Sequence, residues 1–212
     1  MIFVGRENEK KKIIKVLQWG KNIVLSGKFG IGRTSLVKKI AEQLGNQRLF
    51  VFVDFGQTPG KMSKKLMKEL HISSRFNKTG KKMGYTSMRY RIATVGLSTK
   101  NKPVIVFDNV AKLTPQKIIF LRHLIEEDHF QFIAIAENFL PGKDVLLLKA
   151  QFIPMETISL HHLSTEDISA FIRHYAEKHH LNLSDSYIDD LTALAGGYPL
   201  SMIGLIKSVA NK

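Results

Sequence analysis

A chain of 212 residues, 44% of them hydrophobic, can bury a sizeable core in one or two domains. It has no cysteine, which excludes disulfide scaffolds and thiolate metal sites. No apolar run approaches the ~18–20 residues that span a bilayer, and the opening "MIFVGRENEKKKII" lacks a signal peptide's apolar middle and cleavage site, so a cytoplasmic protein is expected.

The formal charge is +14 and is local. Between Lys61 and Arg91 stand ten Lys and Arg against the single acid Glu69, whereas the rest of the chain holds 22 basic and 17 acidic residues. Such an excess points towards polyanions, usually nucleic acid.

In chain order, "NIVLSG" (Asn22–Gly27) and "RLFVFVDF" (Arg48–Phe55) are short β-branched or aromatic runs of the kind that form buried strands. A helix is predicted between them, from about Thr34 to Leu44, stopped by Gly45-Asn46. The basic segment follows, and its stretch Ser73–Gly84 reads as a mobile loop. "KPVIVFDN" (Lys102–Asn109) and "FQFIAIAEN" (Phe130–Asn138) are further strands. The helix between them opens on Thr114 as N-cap with Pro115 at the first helical position. A weaker fifth strand is Phe152–Leu160. Alternating strands and helices imply right-handed crossovers and a parallel sheet covered on both faces. After Leu160 the pattern is helical only, beginning with the capping-box-like Ser164 and Asp167. The predicted architecture is a three-layer α/β domain over 1–160 with a small helical lid over 161–212.

The stretch "LSGKFGIGRTSL" reads as Gly27-x4-Gly32-Arg33-Thr34, a phosphate-binding loop at every defined position but one. Such a loop carries lysine where this chain has Arg33. Glycines 27, 30 and 32 let the backbone curl so that amides of Gly27, Lys28, Phe29, Gly30, Ile31, Gly32, Arg33 and Thr34, with Ser35 next in line, face phosphate. The alternative is an ordinary Gly-rich turn, but its place between a buried strand and an amphipathic helix favours phosphate. Arg33 keeps the charge but is bulkier and planar, so binding should survive the exchange better than catalysis.

Asp108 ends the apolar strand "VIVFDN", where P-loop proteins hold Mg2+ together with a loop hydroxyl, here Thr34. Asn138 lies at the end of "FIAIAEN", where a polar group can contact a γ-phosphate or position water; its neighbour Glu137 is a candidate substitute base. Either of these two residues would equally suit a loop cap before Pro141. The pairs His161-His162 and His179-His180 read as structural, because adjacent side chains diverge and no further ligands complete a site.

The segments "FVGRENEKKKIIKVL", "GKFGIGRTSL", "VIVFDN", "LHHLSTEDISAFI" and "LAGGYPLSM" occur in an order that resembles AAA+ and STAND-type P-loop ATPases, above all the archaeal-type, origin-recognition and transposition ATPases. The resemblance covers nearly the whole chain and implies ATP or ADP with Mg2+ as ligands. It would put Val4, Gly5 and Arg6 near the adenine and close Gly197, Tyr198 and Pro199 over it; plain lid packing accounts for Tyr198 equally well. Three positions depart from the family: Arg33 for lysine, Asn109 for the glutamate that polarises the attacking water, and the absence of a lid arginine from "GGYPLSM". No arginine finger is assignable, Arg122 being equally suited to a solvated face.

The family places elements that line a ring centre or touch a partner where this chain has its basic segment. There Lys61, Lys64, Lys65, Lys81 and Lys82 could neutralise phosphates of DNA, and Phe76, Tyr85 and Tyr90 could stack on bases; a solvated insertion is the alternative. The expected function is an ATP-dependent switch or slow ATPase, acting on DNA, as a homo-oligomer or with a protein partner. Two alternatives stand beside it: a non-hydrolysing scaffold, and a nucleic-acid-binding module with structural nucleotide.

Overall fold

The computed structural model describes residues 4–72, 83–94 and 101–210. Most of the expected loop Ser73–Gly84, including Phe76, Lys81 and Lys82, lies outside them.

Five parallel strands form one sheet: β1 (Asn22–Gly27), β2 (Phe50–Asp54), β3 (Val104–Val110), β4 (Gln131–Ala136) and β5 (Met155–Leu160), in the order β2-β3-β4-β1-β5. Each strand is five to seven residues long; β1 has the bounds expected from sequence, β3 starts later and runs one residue further, and β2, β4 and β5 are shorter than the runs that predict them. Thus Glu137 and Asn138 lie beyond β4 rather than in it, and β5 starts only after Pro154.

Because successive side chains of a strand point to opposite faces, β3 feeds two cores. Ile105 and Phe107 join Phe132, Phe55 and Phe152 on one face, covered by α3 (Pro59–Glu69), α4 (Tyr85–Ala93), α5 (Pro115–Glu126) and α6 (Gly142–Gln151). Val104 and Val106 join Ile23, Leu25, Ile133 and Ile135 on the other, covered by α1 (Glu7–Gln18) and α2 (Arg33–Leu44). A three-layer sandwich results.

Helices α7 (Thr165–Lys178), α8 (Asp185–Ala195) and α9 (Pro199–Ala210) pack around their own core of Ile168, Ile172, Ile188, Leu191 and Met202. The capping signals read from sequence operate here: Ser164 Oγ accepts from Asp167 N at 3.1 Å, and Thr114 Oγ1 accepts from Lys117 N at 3.4 Å.

The described parts of the basic segment lie in two helices for which the sequence reading gives no element. α3 opens on Thr58-Pro59, the same start as α5, and buries Met62, Leu66 and Met67. Lys61, Lys64, Lys65 and Lys68, spaced three and four apart, form its exposed stripe. Tyr85 of α4 packs against the core, with the Arg89 guanidinium over its ring at 5.5 Å, whereas Tyr90 is 61% exposed.

Candidate functional site

Of the residues singled out in the sequence, Thr34 meets Asp108 and Arg33 meets Glu137 at the carboxyl edge of the sheet, where open parallel sheets take their ligands. β1 ends in Gly27, and the loop from Lys28 to Gly32 leads into α2. Gly30 and Gly32 have φ of 78° and 93°, a region where a side chain is strained. At Gly30 space is also short: a Cβ would meet Leu200 at 2.9 Å. Gly32, the N-cap of α2, gives no side-chain cap. The first amides of α2 therefore lack intrahelical partners, a ready anion site.

Thr34, in the first turn of α2, donates from Oγ1 to both carboxylate oxygens of Asp108, at 3.0 and 3.1 Å. A hydroxyl and a carboxylate side by side at a helix N-terminus are hard oxygen donors of the kind Mg2+ takes.

Arg33 is 6% exposed and its fork crosses to the end of β4, donating to the Ala136 carbonyl at 2.5 Å and pairing with Glu137 at 2.7 Å. In this conformation the cation of the loop and the carboxylate at position 137 satisfy each other. A guanidinium presents donors in two directions from one plane, which suits bonding a carbonyl and a carboxylate together. Asn138 is exposed just beyond this pair.

Between Phe107 and Val110 the β3–β4 register shifts, and Asn109 has φ 59°. Such bulges re-aim side chains, and asparagine tolerates this left-handed geometry better than glutamate would. The Asn109 amide consequently donates to Asp54 Oδ1 of β2 at 3.3 Å. Asp54 gave no sequence motif. Its carboxylate also accepts from Gln57 Nε2 at 3.0 Å and from the Gly56 amide at 2.8 Å. The Gln57 bond, with those to Gly56 and Asn109 and the nearby Lys117, holds it below the usual carboxylate range, against the opposing effect of burial. The Lys117 ammonium donates to the Phe55 carbonyl at 2.5 Å, and burial lowers its pKa.

The N-terminal segment and helices α7–α9, the expected lid, meet the loop from the other side. Arg6, 7% exposed, donates to the carbonyls of Ile31 at 3.3 Å and His161 at 2.5 Å. Gly5 lies so close to α7 that a Cβ would meet Asp167 Oδ2 at 2.6 Å. Between loop and lid is a cavity of about 340 Å3, lined by Val4, Arg6, Ile31, Gly32 and Ser35 on one side and by Leu163, Phe171, Tyr175, Pro199 and Met202 on the other. Its mostly apolar wall and volume suit a small planar ligand. Sequence reading reached Val4, Arg6, Ile31, Gly32, Ser35 and Pro199 but missed the α7 residues, whose spacing marks only an amphipathic helix.

Tyr198 stands outside the cavity lining. Its hydroxyl donates to the Phe29 carbonyl at 2.5 Å and its ring meets His162 edge-on, so it fastens the lid to the tip of the loop. Lys28 is exposed at that tip and Phe29 is 67% exposed. His179 stacks on Tyr175 at 4.1 Å. Arg122 is exposed and donates to Gln151 at 3.4 Å.

No curated protein matches the sequence. Among solved structures, the ORC1 protein of Aeropyrum pernix, determined in complex with DNA, superposes with a TM-score of 0.72 at 14% identity, over 99% of this chain and 60% of that one. The RuvB Holliday junction branch migration motor of Thermotoga maritima gives 0.67 at 19% identity, over 99% and 63%. Cdc6p of Pyrobaculum aerophilum gives 0.68 at 13%, over 99% and 63%. The chain thus spans about three fifths of the length of these structures, and at such identities the likeness is one of fold. The profile of the AAA domain family matches residues 18–142, more than half of the sequence. With its loop and strand order, the chain belongs to the AAA+ family of P-loop ATPases.

Proposed function

We propose that the chain binds ATP with Mg2+ and works as a nucleotide-dependent switch or slow ATPase. The observation that carries this reading is Thr34 against Asp108 at 3.0 Å, in front of uncapped α2 amides and beside the cavity under the lid. The phosphates would lie on the amides of residues 27–34, and the adenine would enter the cavity. Thr34 and Asp108 would hold Mg2+, which when bound neutralises charge on the β- and γ-phosphates.

A switch follows from what the loop already touches. Tyr198 is bonded to the Phe29 carbonyl, and Leu200 lies where a Cβ at Gly30 would go. A ligand that reshapes the loop therefore acts directly on α9. Slowness follows from Arg33, which must exchange Glu137 and the Ala136 carbonyl for phosphate, and from Asn109, which has no carboxylate to offer water.

The Thr34→Val and Asp108→Asn variants test the metal part. Each removes a donor worth about 1.5–3 kcal/mol when charge is involved, or roughly 10–100-fold in affinity. Titration with ATP is expected to lose its Mg2+ enhancement while weak binding without Mg2+ persists. Unchanged Mg2+ dependence in both variants would remove these residues from the site.

A second reading rests on the lysine stripe of α3, with four ammonium groups on one exposed helical face. It is the surface through which this protein would act on DNA, the ligand present with the Aeropyrum pernix ORC1 protein. Assembly as a homo-oligomer or with a protein partner belongs to the same proposal.

A further inference from the structure

We propose that Asp54, at the end of β2, supplies the water-orienting carboxylate that position 109 lacks, so that the catalytic acid of this site has moved one strand sideways. This rests on the reading of the site as an ATP site.

The geometry begins with register. Asp54 is the ladder partner of Asp108, and neighbouring strands lie about 4.8 Å apart. Both carboxylates therefore leave the sheet at the same level, on the edge where the loop presents Thr34. The bulge after Phe107 then turns Asn109 sideways, and its amide donates to Asp54 Oδ1. Position 109 is thus occupied by a group that holds a carboxylate rather than by one that is a carboxylate.

Hydrogen-bond capacity points the same way. A carboxylate offers about four acceptor positions. Three are filled: Oδ1 by Gly56 N and Asn109 Nδ2, and Oδ2 by Gln57 Nε2. One position on Oδ2 is left for a water, and the three protein donors fix the plane in which it must approach. The packing is close: a Cβ on Gly56 would come within 2.9 Å of Oδ1. A carboxylate that only capped the turn after β2 would need Gly56 and Gln57 but not the Asn109 amide from β3. Glu137, just beyond β4, is already paired with Arg33.

The step balances without a proton staying on Asp54. The water oxygen bonds to the γ-phosphorus while the bond from that phosphorus to the β,γ-bridging oxygen breaks. ADP leaves with the bridging electron pair, and both water protons end on oxygens of the released dihydrogen phosphate. Asp54 accepts a hydrogen bond from the water and aligns its lone pair; it is neither consumed nor protonated at the end.

The test uses the whole chain in three forms: native, Asp54→Asn, and the exchanged pair Asp54→Asn/Asn109→Asp. Aspartate is chosen at 109 because it tolerates the left-handed backbone there. Single-turnover ATP cleavage is measured beside affinities for ADP·Mg2+ and for ADP·Mg2+ with fluoroaluminate, a mimic of the planar phosphoryl group and its attacking water. Asp54→Asn is expected to slow cleavage about 100-fold or more and to weaken the fluoroaluminate complex, with ADP affinity held within a few-fold. The exchanged pair is expected to recover at least about tenfold of the lost rate, since a carboxylate returns to the same pair of positions.

Native-rate cleavage or an undiminished fluoroaluminate complex in Asp54→Asn overturns the proposal. So does a native chain that binds ATP and never cleaves it, which leaves the nucleotide switch standing. A native chain that binds no ATP at all overturns the site reading itself.

Discussion

Replacing Arg33 with alanine is expected to destabilise the fold by about 3–5 kcal/mol, the range for breaking a buried ion pair by removing one partner. The side chains of Arg33 and Glu137 are 6% and 9% exposed. Without the guanidinium, Glu137 keeps a charge with little water around it, and the Ala136 carbonyl loses its donor. Both penalties are desolvation penalties and exceed the net worth of the pair itself. Hence the double variant Arg33→Ala/Glu137→Gln should regain much of the loss, because the glutamine has no charge to strand. Urea denaturation of native, single and double variants near neutral pH closes the cycle. A single variant as stable as the native chain would mean that the pair is not buried in solution. The same variant removes the cation that the proposed site would turn on phosphate.

The second large effect is in the core that carries Asp108. Phe107 is fully buried, stacked on Phe132 at 5.9 Å and edge-on to Phe55 at 5.3 Å and Phe120 at 6.3 Å. Phe107→Ala is expected to cost about 3–5 kcal/mol, from lost transfer energy plus the cavity left among three rings. For a chain of this size that is a fall in Tm of roughly 10 °C. Phe107→Leu, which keeps most of the volume, should lose under half as much. Phe107 precedes Asp108 and the bulge in β3, so the alanine variant should also loosen the Thr34–Asp108 arrangement and weaken Mg2+-dependent nucleotide binding. Calorimetric melting with and without ATP·Mg2+ reads both effects. A small Tm change would show that the ring cluster can collapse around the gap.

These two sites mark the boundary of what the sequence made legible. The Phe107–Asp108 segment was plain, because an apolar β-branched run ending in a carboxylate has a local signature and a position relative to the loop. The loop itself was plain for the same reason, as were the caps Thr114 and Ser164. The Arg33–Glu137 pair was not, since it joins residues 104 apart through the adjacency of β1 and β4. That adjacency follows from strand order, which no local pattern encodes.

Asp54 was hidden for a related reason. As one acid after "FVFV" it resembles any strand end, and only the β2–β3 register puts it beside Asp108. The helices of the basic segment were missed differently. In α3 the lysines dominate the composition and mask a regular apolar face of Met62, Leu66 and Met67, although Thr58-Pro59 carried the same start signal that identified α5. The α7 wall of the cavity could not be read at all, because Phe171 and Tyr175 fit a helix core as well as they fit a ligand.

The proposed role of the loop, with a guanidinium in place of the usual ammonium, is to take a nucleoside triphosphate on its backbone amides. Isothermal titration of the native chain with ATP in Mg2+ tests it most directly. Saturable one-to-one binding is expected, and Gly30→Val is expected to abolish it, since a branched side chain there would strike Leu200 and Tyr198. Absence of binding heat with ATP at any temperature tried, or equal binding by Gly30→Val, would contradict it.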